Sequence, residues 1–120
     1  MGRGRLAATV AGAGAVLLLM TACAGAPVSA AGTWGAAADG QPQLVLDASG
    51  ELSGTDGCNR LIGSWEQKDA TIDFGEVGST MMACDGVDTW LSGLSTGRID
   101  GTTLHILDAG GVEIGTLARG

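Results

Sequence analysis

The sequence predicts an α+β domain: a mainly antiparallel, partly barrel-like sheet carrying one short helix at about residues 86–95. Three observations lead there. Apolar residues alternate with polar ones in short runs, as in Ala70, Ile72 and Phe74, and in Leu104 and Ile106, which is the period of a half-buried strand. Turn-forming Gly, Asp and Ser punctuate these runs, and 22 of the 120 residues are glycine. One segment departs from the pattern: Val87, Trp90, Leu91 and Leu94 follow the i, i+3, i+4, i+7 spacing of a helix with one apolar stripe.

Taken in order, Gly32-Thr33-Trp34 reads as a first strand and Gln43 to Leu46 as a second. Asp47-Ala48-Ser49-Gly50 has Asp first and Gly last, the signature of a tight turn, so Glu51 to Thr55 returns as a hairpin partner. Asp56 to Arg60 reads as an irregular connection leading through Leu61 to Gly63 into Ser64-Trp65-Glu66. Gln67-Lys68-Asp69 turns the chain into the alternating run that ends at Phe74. Gly75 to Gly78 reads as a loop, and Ser79 to Cys84 as extended or coiled. Asp85 supplies an N-cap to the expected helix, Asp88 a carboxylate in its first turn, and Gly97 its end. Asp100-Gly101 marks a hairpin turn into Leu104 and Ile106, and Ala109-Gly110-Gly111 a turn into a last strand with Val112, Ile114 and Thr116. The expectation is about six to eight strands.

Length allows one small domain, and an apolar content of 45% allows a core. The only aromatics are Trp34, Trp65, Phe74 and Trp90, read as core anchors. With 6 cations against 13 acids the net charge is −7, which excludes a phosphate backbone as partner. No repeat of solenoid length is present.

The N-terminus reads as an export leader. Arg3 and Arg5 precede an apolar run of about 15 residues, Leu6 to Met20, short of the roughly 20 needed for a permanent span. Leu19-Met20-Thr21-Ala22-Cys23 resembles a bacterial lipobox. That resemblance implies cleavage between Ala22 and Cys23 and lipidation of the Cys23 thiol, so that 1–22 is a lipoprotein signal peptide. Residues 23–31 then form a lipidated flexible tether, and 32–120 the folded domain. The competing reading is an ordinary secretory signal cleaved near Ala26 or Ala31 with an incidental Cys23.

Of the 3 cysteines, lipidation of Cys23 leaves Cys58 and Cys84. Outside the cytoplasm a disulfide is the simplest pairing, and it would close a loop of about 27 residues, worth about 3–4 kcal/mol in the loop-entropy treatment. Two alternatives stay open: a metal site built from Cys58, Cys84 and His105, for which no CxxC or HxxxH spacing exists, and a catalytic thiol at Cys58.

Two spaced blocks then carry a family resemblance. Gly54-Thr55-Asp56-Gly57-Cys58-Asn59, followed by Gly63 and Trp65, and Thr80-Met81-Met82-Ala83-Cys84 together resemble the META domain, the HslJ-like family of small envelope proteins. The opening Gly32-Thr33-Trp34 and the later Leu104-His105-Ile106 agree with it, so the resemblance spans about residues 32–119. Asp85 and Asp88 stand where the family often has Pro and Glu. The resemblance implies an exported, stress-associated, non-catalytic protein without a cofactor, in a family linked to heat response, antibiotic tolerance and secretion. For Gly54, Gly57, Asn59, Gly63, Trp65, Thr80 and Met82 the expected role is structural, with a binding edge as the alternative for the Gly-Cys-Asn block.

Catalytic constellations were sought by residue type. The acids, among them Asp47, Asp56, Asp69, Asp85, Asp100 and Asp108, fall mostly in turns and read as turn and solubility residues. A serine triad would have to use His105, which alternates with Leu104 and Ile106 and so faces away from the core. Gly75 to Gly78 lacks the Lys and following helix of a phosphate loop, and no calcium-loop spacing occurs. The expected protein is therefore a lipid-anchored, non-catalytic one on the extracytoplasmic face of the cell membrane. It would have no catalytic residue, metal or cofactor, and would bind an envelope protein or ligand. The alternatives are a small thiol- or His-dependent enzyme, using Cys58 or His105, and a carrier of a small apolar ligand inside the barrel.

Overall fold

The computed structural model describes residues 28–120. The signal peptide at 1–22, the Ala22/Cys23 cleavage point and the lipidation of Cys23 lie outside the described residues. The strands are β1 (Gly32–Gly35), β2 (Gln43–Leu46), β3 (Glu51–Thr55), β4 (Arg60–Lys68), β5 (Thr71–Phe74), β6 (Gly78–Ser79), β7 (Thr96–Asp100), β8 (Thr103–Leu107) and β9 (Glu113–Ala118). All pairings are antiparallel in the order β1-β2-β3-β4-β5-β7-β8-β9, with β6 on β4 alone.

The ends of this meander meet. Trp34 pairs with Arg119, and the Gly120 N–H donates to the Thr33 carbonyl at 2.9 Å. This contact joins the two end strands at one point and curls the sheet into a barrel. The Arg119 guanidinium stacks 4.2 Å from the Trp34 ring and donates to the carbonyls of Ser29 and Ala31. The last residues of the segment read as tether thus lie against the barrel. Ala30 is fully buried, its N–H donates to Gln67, and its carbonyl accepts the Trp34 indole N–H at 2.9 Å.

Alternation fills the interior. Leu44 and Leu46, Leu52, Leu61 and Trp65, Ile72 and Phe74, Leu104 and Ile106, and Leu117 point inward from successive strands. Each such side chain contributes about 1.5–3 kcal/mol by leaving water. Turns are locally specified: the Asp47 carboxylate accepts the Ser49 main-chain N–H and hydroxyl, and Asp108 accepts the N–H groups of Gly110 and Val112.

The expected α+β class is corrected to an almost all-β, antiparallel barrel. Among the described residues there is no α-helix, and the helix expected at about 86–95 is a single 3-10 turn, Trp90–Gly93. Gly86 takes φ 74, which breaks the helical path just after Asp85, and no side chain caps the turn at Thr89. Leu94 is already extended (φ −61, ψ 140) because Ser95 must enter the sheet, where its carbonyl accepts the Phe74 N–H. Too few residues remain to nucleate an α-helix. The apolar stripe is still used: Leu91 and Leu94 are buried, and Trp90 lies over Gly115, where a Cβ would come within 2.5 Å of the indole.

Candidate functional site

The two sequence blocks meet at one corner of the barrel, at the β3–β4 connection. The corner begins with Asp56, fully buried, whose Oδ1 accepts the N–H of Cys58 (2.9 Å) and of Asn59 (2.6 Å). The Asp56 N–H donates back to the Asn59 carbonyl at 3.0 Å. The second carboxylate oxygen, Oδ2, is buried without a partner. Gly57 follows at φ 102, with its missing Cβ replaced by the Gly40 carbonyl oxygen, 2.7 Å from where a Cβ would stand. Only glycine combines that backbone angle with that approach.

Asn59 then reaches across to the second block. Its Oδ1 accepts the Met82 N–H (2.6 Å) and the Thr80 hydroxyl (3.0 Å), and its Nδ2 donates to the Met82 carbonyl (3.3 Å). The side-chain amide thereby pairs with Met82 as a strand residue would. Thr80 closes the set, its Oγ1 also accepting the Arg60 N–H at 3.0 Å. Cys58 and Cys84 are joined in a disulfide with Cα atoms 5.9 Å apart. That bond engages both sulfurs that the metal and catalytic-thiol alternatives required.

The remaining motif residues are placed by packing. A Cβ on Gly54 would overlap the Gln43 carbonyl oxygen, and one on Gly63 would lie 2.8 Å from that of Glu76, so both glycines let neighbouring backbone approach. Trp65 is buried and donates its indole N–H to the Asp47 carbonyl at 2.8 Å. It belongs to the core rather than to the corner.

On the outer face beside the corner lies an open groove of about 550 Å³, lined by Val45, Ser53, Arg60, Ile62, Thr80 and Met82 among others. Its rim is apolar and accessible: Ile62 is 62% exposed, Met82 60% and the neighbouring Met81 94%. His105 is elsewhere, on β8, with Nδ1 2.7 Å from the Glu113 carboxylate. Among the described residues no cluster of His, Cys, Asp or Glu is placed to hold a metal ion. Asp47 lies in the β2–β3 turn. Hydrogen bonds from the Ser49 hydroxyl, then from its main-chain N–H, hold the carboxyl below its ordinary range.

By sequence Asp56 reads as a turn and solubility residue, yet it is fully buried; the Asp-Gly-Cys-Asn run is the signal for an Asx-type turn folded inward. The exposure of Ile62 has no local signal, because an outward apolar residue in a strand looks like any other strand position.

Fold and corner define a small, disulfide-bonded antiparallel barrel domain. The META domain family matches residues 19–118, and the chain belongs to that family. No curated protein and no solved structure matches it.

Proposed function

We propose that this META-domain protein is a lipoprotein, anchored through Cys23 to the extracytoplasmic face of the cell membrane. It acts there without catalysis, by binding or scaffolding in the envelope stress response. The observation that carries the binding reading is the accessible apolar groove beside the disulfide corner, where Ile62 and Met82 stand open to solvent on a rigid, cross-linked frame. The bonded cysteines favour binding over thiol catalysis. The side chains that fill the barrel favour it over an internal carrier.

The chain's path fits an anchored role. Val28 and Ala30 are held by Gln67, near the end of β4, whereas the corner joins β4 at Arg60. At about 3.3 Å per strand residue Gln67 lies about 23 Å along β4 from Arg60, so the described N-terminal segment meets the barrel away from the corner. Fractionation of cells expressing the wild type and Cys23→Ala tests the anchor. The wild type is expected in the membrane fraction and the variant in the soluble one; a variant that stays membrane-bound refutes it.

A further inference from the structure

The end strands of the barrel meet at the Trp34–Arg119 bridge, and β6 lies off the path of the main sheet. That strand pairs with β4 alone, and the chain beyond it, through Ala83, stays exposed. The register fixes which way its main chain faces. Leu61 stands opposite Ser79 and Ile62 opposite Gly78, and the Thr80 N–H donates to the Arg60 carbonyl at 3.2 Å. Antiparallel pairing alternates, so the groups of Gly78 and Thr80 turn toward β4, those of Ser79 and Met81 away. Met82 follows the alternation, turning both its N–H and its carbonyl to Asn59. Ser79 and Met81 thus present an outward row of donors and acceptors. Beside them lies an open trough of about 400 Å³, lined by the run from Ser79 to Ala83 with Asn59 and Ser92 of the 3-10 turn.

We infer that this edge takes an extended segment of another protein by strand addition, the segment carrying apolar residues at its centre and lysine or arginine at its flanks. The inference rests on the binding reading above and names its partner class. The outward N–H and C=O groups of Ser79 and Met81 supply the ladder, and Met81, 94% exposed, the apolar contact. Charge sets the flanks. Exposed Glu76 and Asp85 bracket the edge and no Lys or Arg occurs between Lys68 and Arg98; the one cation paired against this segment, Arg60, stands on its β4 side. The same acids disfavour a second copy of this chain: an antiparallel pair with Ser79 of each copy opposite Met81 of the other would bring Glu76 of one copy within one residue of Asp85 of the other.

The probe is a blocked heptapeptide, Lys-Val-Thr-Val-Thr-Val-Lys, added to the oxidised protein at up to millimolar concentration. Amide hydrogen exchange is expected to slow at Ser79 and Met81 and not along β8. Methylating alternate amide nitrogens of the peptide, or making Met81→Pro with unchanged thermal unfolding, is expected to weaken binding about tenfold or more. Replacing both lysines by glutamates is expected to weaken it too. No protection at these two amides, indifference to N-methylation, or a concentration-dependent dimer that protects them without peptide would overturn the assignment. Photo-crosslinkers at Met81 and Ile62 in cells separate this claim from the one beneath it. Crosslinks from Ile62 alone reject the edge and leave the groove's binding role; crosslinks from neither reject both; crosslinks from Met81 that the lysine peptide competes away support the edge.

Discussion

Truncating Asn59 is the sharpest test of how the corner is held. Asn59→Ala removes three hydrogen bonds, to Met82 N–H, Thr80 Oγ1 and Met82 C=O, in a residue only 8% exposed. At about 0.5–1.5 kcal/mol net per bond the loss would reach about 1.5–4.5 kcal/mol. Met82 is 60% exposed, so water re-satisfies part of its main chain and the lower half of that range applies, about 1.5–3 kcal/mol. For a domain of this size that lowers Tm by roughly 10–20 °C. Asn59→Asp does no better at neutral pH, because it sets an acceptor against the Met82 carbonyl where the amide donated. Urea unfolding at constant m-value is the assay, repeated on the reduced protein. Asn59 and the disulfide tie the same two segments, so reduction lets the Thr80–Cys84 arm detach and the substitution then costs less, by at least about 0.5 kcal/mol. A loss under about 0.5 kcal/mol in the oxidised protein, or strict additivity with reduction, would refute the picture of one jointly held corner.

Reduction alone is expected to cost about 3–4 kcal/mol, the loop-entropy value for the 26-residue separation of Cys58 and Cys84, measured as the shift in urea midpoint with and without reductant. Gly115→Ala puts a methyl group 2.5 Å from the Trp90 ring; the indole must move, and a loss of about 1–3 kcal/mol is expected with a change in Trp90 fluorescence. Asp47, its carboxyl lowered by Ser49, contributes stability that is present above the unfolded carboxylate range, about pH 4, and lost as pH falls through the lower folded value. Asp47→Asn is therefore expected to flatten the acid limb of the stability–pH curve, read by thermal unfolding below about pH 4. Gly57→Ala combines a φ of 102 with contact on the Gly40 carbonyl, and is expected to destabilise by more than about 1 kcal/mol in the same urea assay.

Local pattern determined much of this protein. Polar–apolar alternation placed the interior of β5 and β8, and turn chemistry placed the β2–β3 and β7–β8 hairpins, because side-chain period and turn geometry are properties of a few neighbouring residues. The pairing of Cys58 with Cys84 was legible from their number once Cys23 was assigned elsewhere. Tertiary structure decided what depends on residues distant in the chain. Trp34 meets Arg119 and Asn59 meets Met82 only when the meander closes, and neither approach leaves a mark on its own stretch of sequence. The Val87–Leu94 stripe marked Leu91 and Leu94 for the core and Trp90 for its margin but not the place of Val87, and the backbone beneath it was set by Gly86 and by the demand that Ser95 reach the sheet edge beside Phe74. Burial is written in the spacing of apolar residues; the path that achieves it is chosen by the anchors at either end.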